Sequence, residues 1–205
     1  MTNFGKRTGT FGDGISWGEH VKEIVDSGRN IYHGGDGIPS FQDSKNFIKT
    51  DTDKDKRKVL DCGCHMGRFV DELERYGFED YTGVDQCAEA LLFAIKNRPD
   101  KKFIHKFLWD MDFKEEFDFA VVVAVLQHNV HAEHELIIPK IYDALKYGGV
   151  FFMTEGTRFN GGDKTQRTQK DWINTVEKYG FKLIKTFKEN PIGIEDHYIF
   201  AKEKK

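Results

Sequence analysis

Residues 59–68, with the sequence VLDCGCHMGR, and the triplet GVD at residues 83–85 decide the fold. In the first stretch an apolar pair leads into Asp61 and a glycine loop, and a helical pattern follows. A second short apolar run ends in Asp85, about 20 residues further on. This pattern is typical of a βαβ unit that binds an adenosine-containing cofactor, because the loop brings backbone N–H groups to the ligand and the second acid accepts hydrogen bonds from ribose hydroxyls.

The spacing of the glycines distinguishes between cofactors. A dinucleotide-binding loop requires the frame G-x-G-x-x-G, whereas Gly63 and Gly67 follow Asp61 in the frame D-x-G-x-x-x-G. This frame resembles motif I of the class I S-adenosylmethionine (SAM) methyltransferases, usually written D-x-G-x-G-x-G, and Asp85 matches the acid that ends their second strand. His65 occupies the place of their middle glycine, where a Cβ costs about 1 kcal/mol if φ is positive. The alternative is a strand–turn–helix whose glycines serve only the turn.

Length and composition favour one compact domain. A chain of 205 residues is long enough to bury a full α/β core, and it has no apolar run near the ~20 residues needed to span a bilayer. The N-terminal residues show no secretory signal pattern. The net charge of −3 argues against a nucleic-acid substrate, because such binding depends on neutralising phosphates.

The three cysteines, Cys62, Cys64 and Cys87, are grouped around the predicted pocket. We interpret this odd set as reduced thiols in a cytoplasmic protein. Cys62 and Cys64, followed by His65, do not have the spacing of a zinc pair, and no second Cys/His pair complements them. We therefore expect no metal.

The chain divides into two parts by composition. Residues 1–50 are rich in glycine and aromatic residues, and residues 51–205 alternate between strand and helix patterns. We expect the first part to form a helical and loop cap over the cofactor site, with helices at residues 16–26 and 41–49. The predicted strands of the second part are residues 59–62, 81–84, 102–108, 117–126, 150–154, 181–187 and 197–201.

Three further segments resemble the same family, so that the resemblance covers residues 55–205. Phe117-Asp118, followed by a valine run and Leu126-Gln127-His128, is similar to motif IV. Residues 145–149, LKYGG, and 179–181, YGF, are similar to the junctions before strands 5 and 6. The resemblance implies an α/β fold with a Rossmann-like, seven-stranded and mostly parallel sheet. Its order is 3-2-1-4-5-7-6, strand 7 is antiparallel, and helices cover both faces.

The resemblance also implies where the cofactor binds, beyond the carboxyl ends of the strands. Asp61 and the backbone of residues 63–67 would hold the methionyl amino end, and Asp85 would accept the ribose hydroxyls. Asp110 and Met111 would meet the adenine. The predicted cofactor-binding residues are Asp61, Gly63, Cys64, His65, Gly67, Asp85, Gln86, Asp110, Met111 and Gln127.

On the acceptor side His128 is the predicted general base, because it is titratable near neutrality and follows strand 4. Its alternative role is a hydrogen bond to a neighbouring loop. We expect His131 and His134 on a solvated helix start, and Arg167 either to clamp an acidic small molecule or to lie in a surface loop. The predicted substrate contacts are Trp17, Tyr32, His33, Glu155 and Arg158.

These expectations give a SAM-dependent methyltransferase, a monomer or homodimer. It would transfer a methyl group to an oxygen or nitrogen nucleophile of a small-molecule acceptor and release S-adenosylhomocysteine (SAH). Three alternatives remain open: a protein or peptide methyltransferase, a nicotinamide-dependent oxidoreductase, and a non-catalytic SAM-fold binding subunit.

Overall fold

The computed structural model describes residues 16–27, 39–156, 167–188 and 195–203 of the chain. Its seven strands form one sheet in the order β3-β2-β1-β4-β5-β7-β6, in which β7 runs antiparallel to both of its neighbours and the other pairs are parallel. The predicted order and the antiparallel strand are thus confirmed. The strands are β1 Lys58–Cys62, β2 Asp80–Asp85, β3 Lys102–His105, β4 Phe117–Val123, β5 Leu145–Gly156, β6 Phe181–Lys188 and β7 Glu195–Lys202.

Helices pack on both faces of the sheet. Apolar residues of α2, α3 and α4 share one buried cluster with one set of strand side chains, and those of α5 and α6 share the other. Helix α1 packs mainly on α4. The helices are α1 Trp17–Asp26, α2 Pro39–Lys45, α3 Val70–Arg75, α4 Ala88–Asn97, α5 His131–Ala144 and α6 Gln169–Glu177, with short 3₁₀ turns at Lys54–Lys56, Leu108–Asp110 and Leu126–His128.

Strand β4 shows why the sheet needs helices on both sides. Phe119 and Val121 belong to the cluster beneath α2 and α3, whereas Ala120 and Val122 belong to the cluster beneath α5 and α6. All four side chains have no exposed surface. An unbroken apolar run is what a strand covered on both faces requires, because successive side chains point to opposite faces.

Helix α2 is part of the core. The ring of Phe41 has no exposed surface and makes edge contacts with Phe152 at 4.9 Å and Phe69 at 5.7 Å between ring centroids. The Arg57 guanidinium donates to the carbonyls of Lys45 and Ile48. Residues 39–50 therefore share their packing with the strands. The predicted division at residue 50, and a cap over the cofactor, stay predictions, since residues 1–15 and 28–38 lie outside the described residues.

Several element ends differ from the sequence-based expectations. Helix α3 begins at Val70 rather than near Gly67, because Gly67 has a φ of +78°. Strand β4 ends at Val123 rather than at residue 126, because Ala124 turns the chain with a φ of +54°. Strand β3 ends at His105, three residues early, where a 3₁₀ turn follows.

Helix α5 contains a proline, a residue that can either kink a helix or mark its start. Pro139 lies inside it, so the helix begins well before the proline, at His131. The helix ends at Ala144, and β5 starts immediately at Leu145 rather than at residue 150.

Among the described residues, none of the helices is both long and apolar enough to cross a membrane.

Candidate cofactor and acceptor site

Gly63 opens the loop after β1 in a conformation that only glycine fits. Its φ is +81°, and its N–H donates to the Val84 carbonyl at 2.7 Å, which ties the loop to the end of β2. A Cβ at this position would lie 2.5 Å from Cγ2 of Val125, which follows β4. Backbone strain and packing therefore both exclude a side chain here.

His65 adopts the left-handed backbone conformation, with a φ of +49°. Its N–H donates to Oδ2 of Asp85 at 2.8 Å, and its ring lies 6.1 Å from the ring of His20 in α1. Burial, with smaller contributions from His20 and Arg68, lowers the pKa of His65 to about 4. The imidazole is therefore neutral near pH 7.

The N–H groups of the loop are used inside the protein. Those of Gly63 and Cys64 both donate to the Val84 carbonyl, that of His65 donates to Asp85, and that of Gly67 donates to the Cys64 carbonyl. The expectation that these groups point at the ligand is wrong for these four. The physical reason is that acceptors of the protein already satisfy these donors: the Val84 carbonyl and the Asp85 carboxylate at the end of β2 for three of them, and the Cys64 carbonyl within the loop for the fourth.

Asp85 is held from two sides at the carboxyl end of β2. Its Oδ2 accepts from His65 N–H, and its Oδ1 accepts from Cys87 N–H at 2.7 Å. Burial raises the pKa of Asp85, and these backbone donors, with Gln86, act in the opposite direction. Each carboxylate oxygen has more than one acceptor site, so the oriented carboxylate can still accept the two hydroxyls of a ribose.

Asp61 lies at the neighbouring strand end and is also buried, with 2% of its surface exposed. The Tyr81 hydroxyl donates to its Oδ2 at 2.7 Å. Burial raises the pKa of Asp61 to about 7, against the effect of the Tyr81 hydrogen bond and with a further increase from Asp85. Sequence reasoning missed Tyr81 as a site residue, although its place on β2, facing the same side as Gly83, could have indicated it.

The other predicted cofactor-binding residues that follow β2 and β3 differ in their exposure. Asp110 is exposed on the 3₁₀ turn after β3, and Gln86 is exposed, with its carbonyl 3.0 Å from Nε2 of His105. Met111 is only 1% exposed and packs in the core beneath α5, which is at odds with a contact to the face of adenine. Trp109 stacks on Phe107 at 4.7 Å between ring centroids.

The turn after β4, where we predict the acceptor side, is held in place by Glu155. The Glu155 carboxylate accepts the N–H groups of Val125 at 3.2 Å, Leu126 at 2.8 Å and Gln127 at 2.9 Å. In return, Gly156 N–H donates to the side-chain oxygen of Gln127 at 2.7 Å. Glu155 has no exposed surface. This burial is at odds with the predicted contact between Glu155 and the acceptor, because the carboxylate serves the turn instead.

His134 also contacts the turn after β4. Its Nε2 lies 2.7 Å from the Leu126 carbonyl, and its Nδ1 accepts from Nε of Arg167 at 3.2 Å. Its ring has no exposed surface and lies 5.0 Å from the Trp172 ring. The prediction that His134 lies on a solvated helix start is therefore wrong. Burial lowers the pKa of His134 to about 4, against the hydrogen bond to Leu126.

The remaining predicted residues are only partly described. His128 is exposed on the 3₁₀ turn after β4, beside the ends of β4 and β5. Trp17 is the first residue of α1, and its side chain lies outside the described part. Tyr32, His33 and Arg158 lie outside the described residues altogether. Within the described ranges, no group of three or more His, Cys, Asp or Glu residues could hold a metal ion.

Comparison with known proteins shows what this chain is similar to. Residues 60–153 match the family model described as "Methyltransferase domain". The chain is 30% identical over 117 residues to a carboxy-S-adenosyl-L-methionine synthase of Nautilia profundicola, covering 54% of this chain and 47% of that protein. It is 32% identical over 95 residues to a trans-aconitate 2-methyltransferase of Rhizobium etli, covering 46% and 36% respectively. The matches span less than half the length of these two relatives.

A solved structure matches over more of the chain. The TehB-like SAM-dependent methyltransferase of Corynebacterium glutamicum superposes with a TM-score of 0.68 at 22% identity, covering 90% of this chain and 99% of that one. This likeness shows a shared fold. Residues 60–153 thus match a methyltransferase-domain model, and the chain has the fold of the solved structure on which it superposes.

Proposed function

We propose that this chain transfers a methyl group from S-adenosylmethionine to an oxygen or nitrogen nucleophile of a small-molecule acceptor. The observation that carries the proposal is the pair of buried carboxylates at adjacent strand ends. Asp61 and Asp85 lie next to a loop whose Gly63 and Gly67 have positive φ. In this sheet order the carboxyl ends of β1, β2 and β4 form one crevice, where ligands of open α/β sheets bind.

The residues present fit SAM. The cofactor carries no phosphate, so it does not require the loop N–H groups that the protein already uses. Asp85, oriented by two backbone donors, would accept the ribose hydroxyls. Asp61, whose pKa of about 7 reflects burial, would gain a counter-charge from the methionyl ammonium group. Gly63 would keep the crevice open, since its Cβ would fill the space against Val125.

The acceptor would lie over the turn after β4. When bound, SAM supplies a methyl group that is already activated on its sulfonium. The protein then has to hold the acceptor in line and exclude water, which supplies a large effective concentration. Gln127 and His128 are the predicted contacts on this turn, and His128 would accept the proton of an acceptor that must lose one. Glu155 and His134 would keep the turn in place.

The names of the relatives support the acceptor class. The Rhizobium etli relative is named for methyl transfer to trans-aconitate, a small acid. The other relative is named as a synthase that makes a SAM derivative rather than as a methyltransferase. Both names describe small-molecule chemistry, and neither describes a protein or peptide acceptor.

His65 favours one second candidate, a binding subunit that does not catalyse. Its side chain stands at a motif position where the family usually has glycine, in a strained conformation beside Asp85. If the imidazole closes the crevice, neither SAM nor SAH will bind. Calorimetry with both compounds tests this directly, because absent heat for both supports the binding-subunit candidate and contradicts the proposed function.

Transfer of isotope-labelled methyl groups into cell-extract fractions tests the acceptor class. We expect label in the small-molecule fraction, and label found only in protein would contradict this proposal. With an acceptor in hand, His128→Ala should lower turnover by about 10²-fold or more, the usual size of general-base catalysis, while SAM affinity stays constant. An equal loss of both, or of neither, would show that His128 is not the base. Exposed His131→Ala, three residues away, is the matched control.

A further inference from the structure

Arg167 has an unusual set of neighbours for a charged side chain. Its Nε donates to Nδ1 of His134 at 3.2 Å, and its guanidinium carbon lies 5.5 Å from the centre of the Trp172 ring. Both partners are neutral, because burial lowers the pKa of His134 to about 4. The imidazole and the indole therefore fix the plane of the guanidinium without neutralising its charge.

Burial lowers the pKa of Arg167 and the charges of Glu135 and Asp171 raise it, but both carboxylates form their hydrogen bonds with other residues. Glu135 accepts from Lys178 and from the Tyr179 hydroxyl, and Asp171 caps the first turn of α6 through the Thr168 hydroxyl and N–H. Among the residues that the structure describes, Arg167 makes no ion pair. A half-buried cation without a paired anion is costly, and an anionic ligand would remove that cost.

Arg167 also lies beside the predicted acceptor position. A closed ring of contacts links it to the turn after β4. On one side the ring runs through His134 to the Leu126 carbonyl. On the other side Arg167 contacts the ring of Trp172, whose indole N–H donates to the Gly156 carbonyl at 3.4 Å. The N–H of Gly156 in turn donates to the Gln127 side chain. The guanidinium is thus fixed to the same turn that carries the acceptor-side residues.

We propose that Arg167, oriented by His134 and Trp172, binds an oxyanion group of the methyl acceptor, a carboxylate or a phosphate. The inference rests on the proposed function in one respect, which is that the bound molecule is the methyl acceptor. Nε is occupied by His134, and the terminal N–H groups remain to form a two-pronged contact with the anion, the geometry that arginine supplies and lysine does not. His134 acts here as a positioning residue.

The test titrates the full chain with citrate, a carboxylate probe, and with glycerol 3-phosphate, a phosphate probe. Calorimetry measures affinity, and the tryptophan fluorescence includes the emission of Trp172 beneath the guanidinium, one of three tryptophans in the chain. Each titration is run with and without saturating SAH. The variants are Arg167→Gln, Arg167→Lys and, as matched control, Lys170→Gln, which removes an exposed positive charge from the first turn of α6, three residues after Arg167.

We expect one or both probes to bind and to change the tryptophan emission. Arg167→Gln should weaken the better probe by about tenfold or more, the scale of a lost charge-assisted hydrogen-bond pair. Arg167→Lys should be intermediate, and Lys170→Gln should change affinity by less than about twofold, since exposed charges are screened. The probe that binds more tightly identifies the source of the anion.

Two results would overturn the inference. One is that neither probe binds the wild-type chain, and the other is that Lys170→Gln weakens binding as much as Arg167→Gln. SAH titrations of every variant keep this result separate from the proposed function. If SAH fails to bind the wild type, the proposed function fails, while the SAH-free anion titrations still decide the role of Arg167. If SAH binds all variants equally, any loss of anion binding belongs to Arg167 and not to misfolding.

Discussion

The two sides of the site are built differently. The cofactor side is made within one βαβ unit, where Asp61, His65 and Asp85 find their partners no more than 20 residues away in the sequence. The acceptor side joins segments further apart, since Glu155 reaches back 28–30 residues to the turn after β4, and Arg167 reaches 33 residues to His134. The comparison teaches that a local motif can fix the cofactor crevice, whereas the acceptor side depends on packing between β4, β5, α5 and α6.

Gly63→Ala should have the largest effect and should break both sides at once, because the new Cβ would collide with Val125 of the acceptor-side turn. We expect the free energy of unfolding to fall by about 3–4 kcal/mol from overpacking and a positive φ together. Urea unfolding measures it. Gly77→Ala is the matched control: its φ is +84°, but its Cβ would meet only the flexible end of Lys45, so it should cost about 1 kcal/mol. Equal losses would contradict the role of Val125.

Glu155→Gln should destabilise the acceptor side and leave the cofactor side almost unchanged. Three backbone N–H groups lose a charged acceptor, and the glutamine amide group brings a donor to face them. The free energy of unfolding should fall by about 2–3 kcal/mol. Amide hydrogen exchange should speed up at Val125, Leu126 and Gln127, while the affinity for SAH changes little. A loss of SAH affinity as large as the loss of stability would show that the two sides are not independent.

Asp85→Ala should affect the cofactor side alone. We expect the affinity for SAM to weaken by about 1.5–3 kcal/mol, the size of hydrogen bonds to a charged group. Calorimetry measures this. The control is Asp80→Ala at the opposite end of β2, where the side chain is half exposed and pairs with Lys58, and it should leave SAM affinity unchanged. An unchanged affinity in Asp85→Ala would mean that the ribose is bound elsewhere.

Asp61→Asn should have an effect on stability that depends on pH. Burial raises the pKa of Asp61 from 3.8 to about 7 in the folded state, so the folded protein retains a proton that the unfolded chain releases. The native aspartate therefore costs increasing stability as pH rises from 4 to 7. Asparagine avoids that cost. Relative to wild type, the variant should gain roughly 2–3 kcal/mol between pH 5 and pH 8.

Urea unfolding at each pH measures this difference for Asp61→Asn, with Asp80→Asn as an exposed control. A stability difference that stays flat across the range would show that Asp61 is ionised in the folded protein at pH 5. That result would also remove the argument that a methionyl ammonium group neutralises this carboxylate.

The features of the fold and of the site also differ in how far the sequence could predict them. Motif spacing indicates the carboxylates of Asp61 and Asp85, and the family resemblance implies the sheet order and the antiparallel β7. The sequence left open whether φ at His65 is positive. The sequence could not indicate that the loop N–H groups are already used, because that depends on where β2 ends in space. It also misplaced His134, which reads as a polar residue at a helix start but is buried by α6 and Trp172.

By itself the sequence determined the βαβ unit, the order of the elements and the residues at each strand end. Those features depend on side-chain periodicity and on glycine positions, which are local properties of the chain. Only the tertiary structure decided that Glu155 serves the turn after β4, that Tyr81 binds Asp61, and that His134 orients Arg167. Each of these is a hydrogen bond between separate elements, and its partner becomes known only when packing brings the two elements together and burial requires their polar groups to be satisfied.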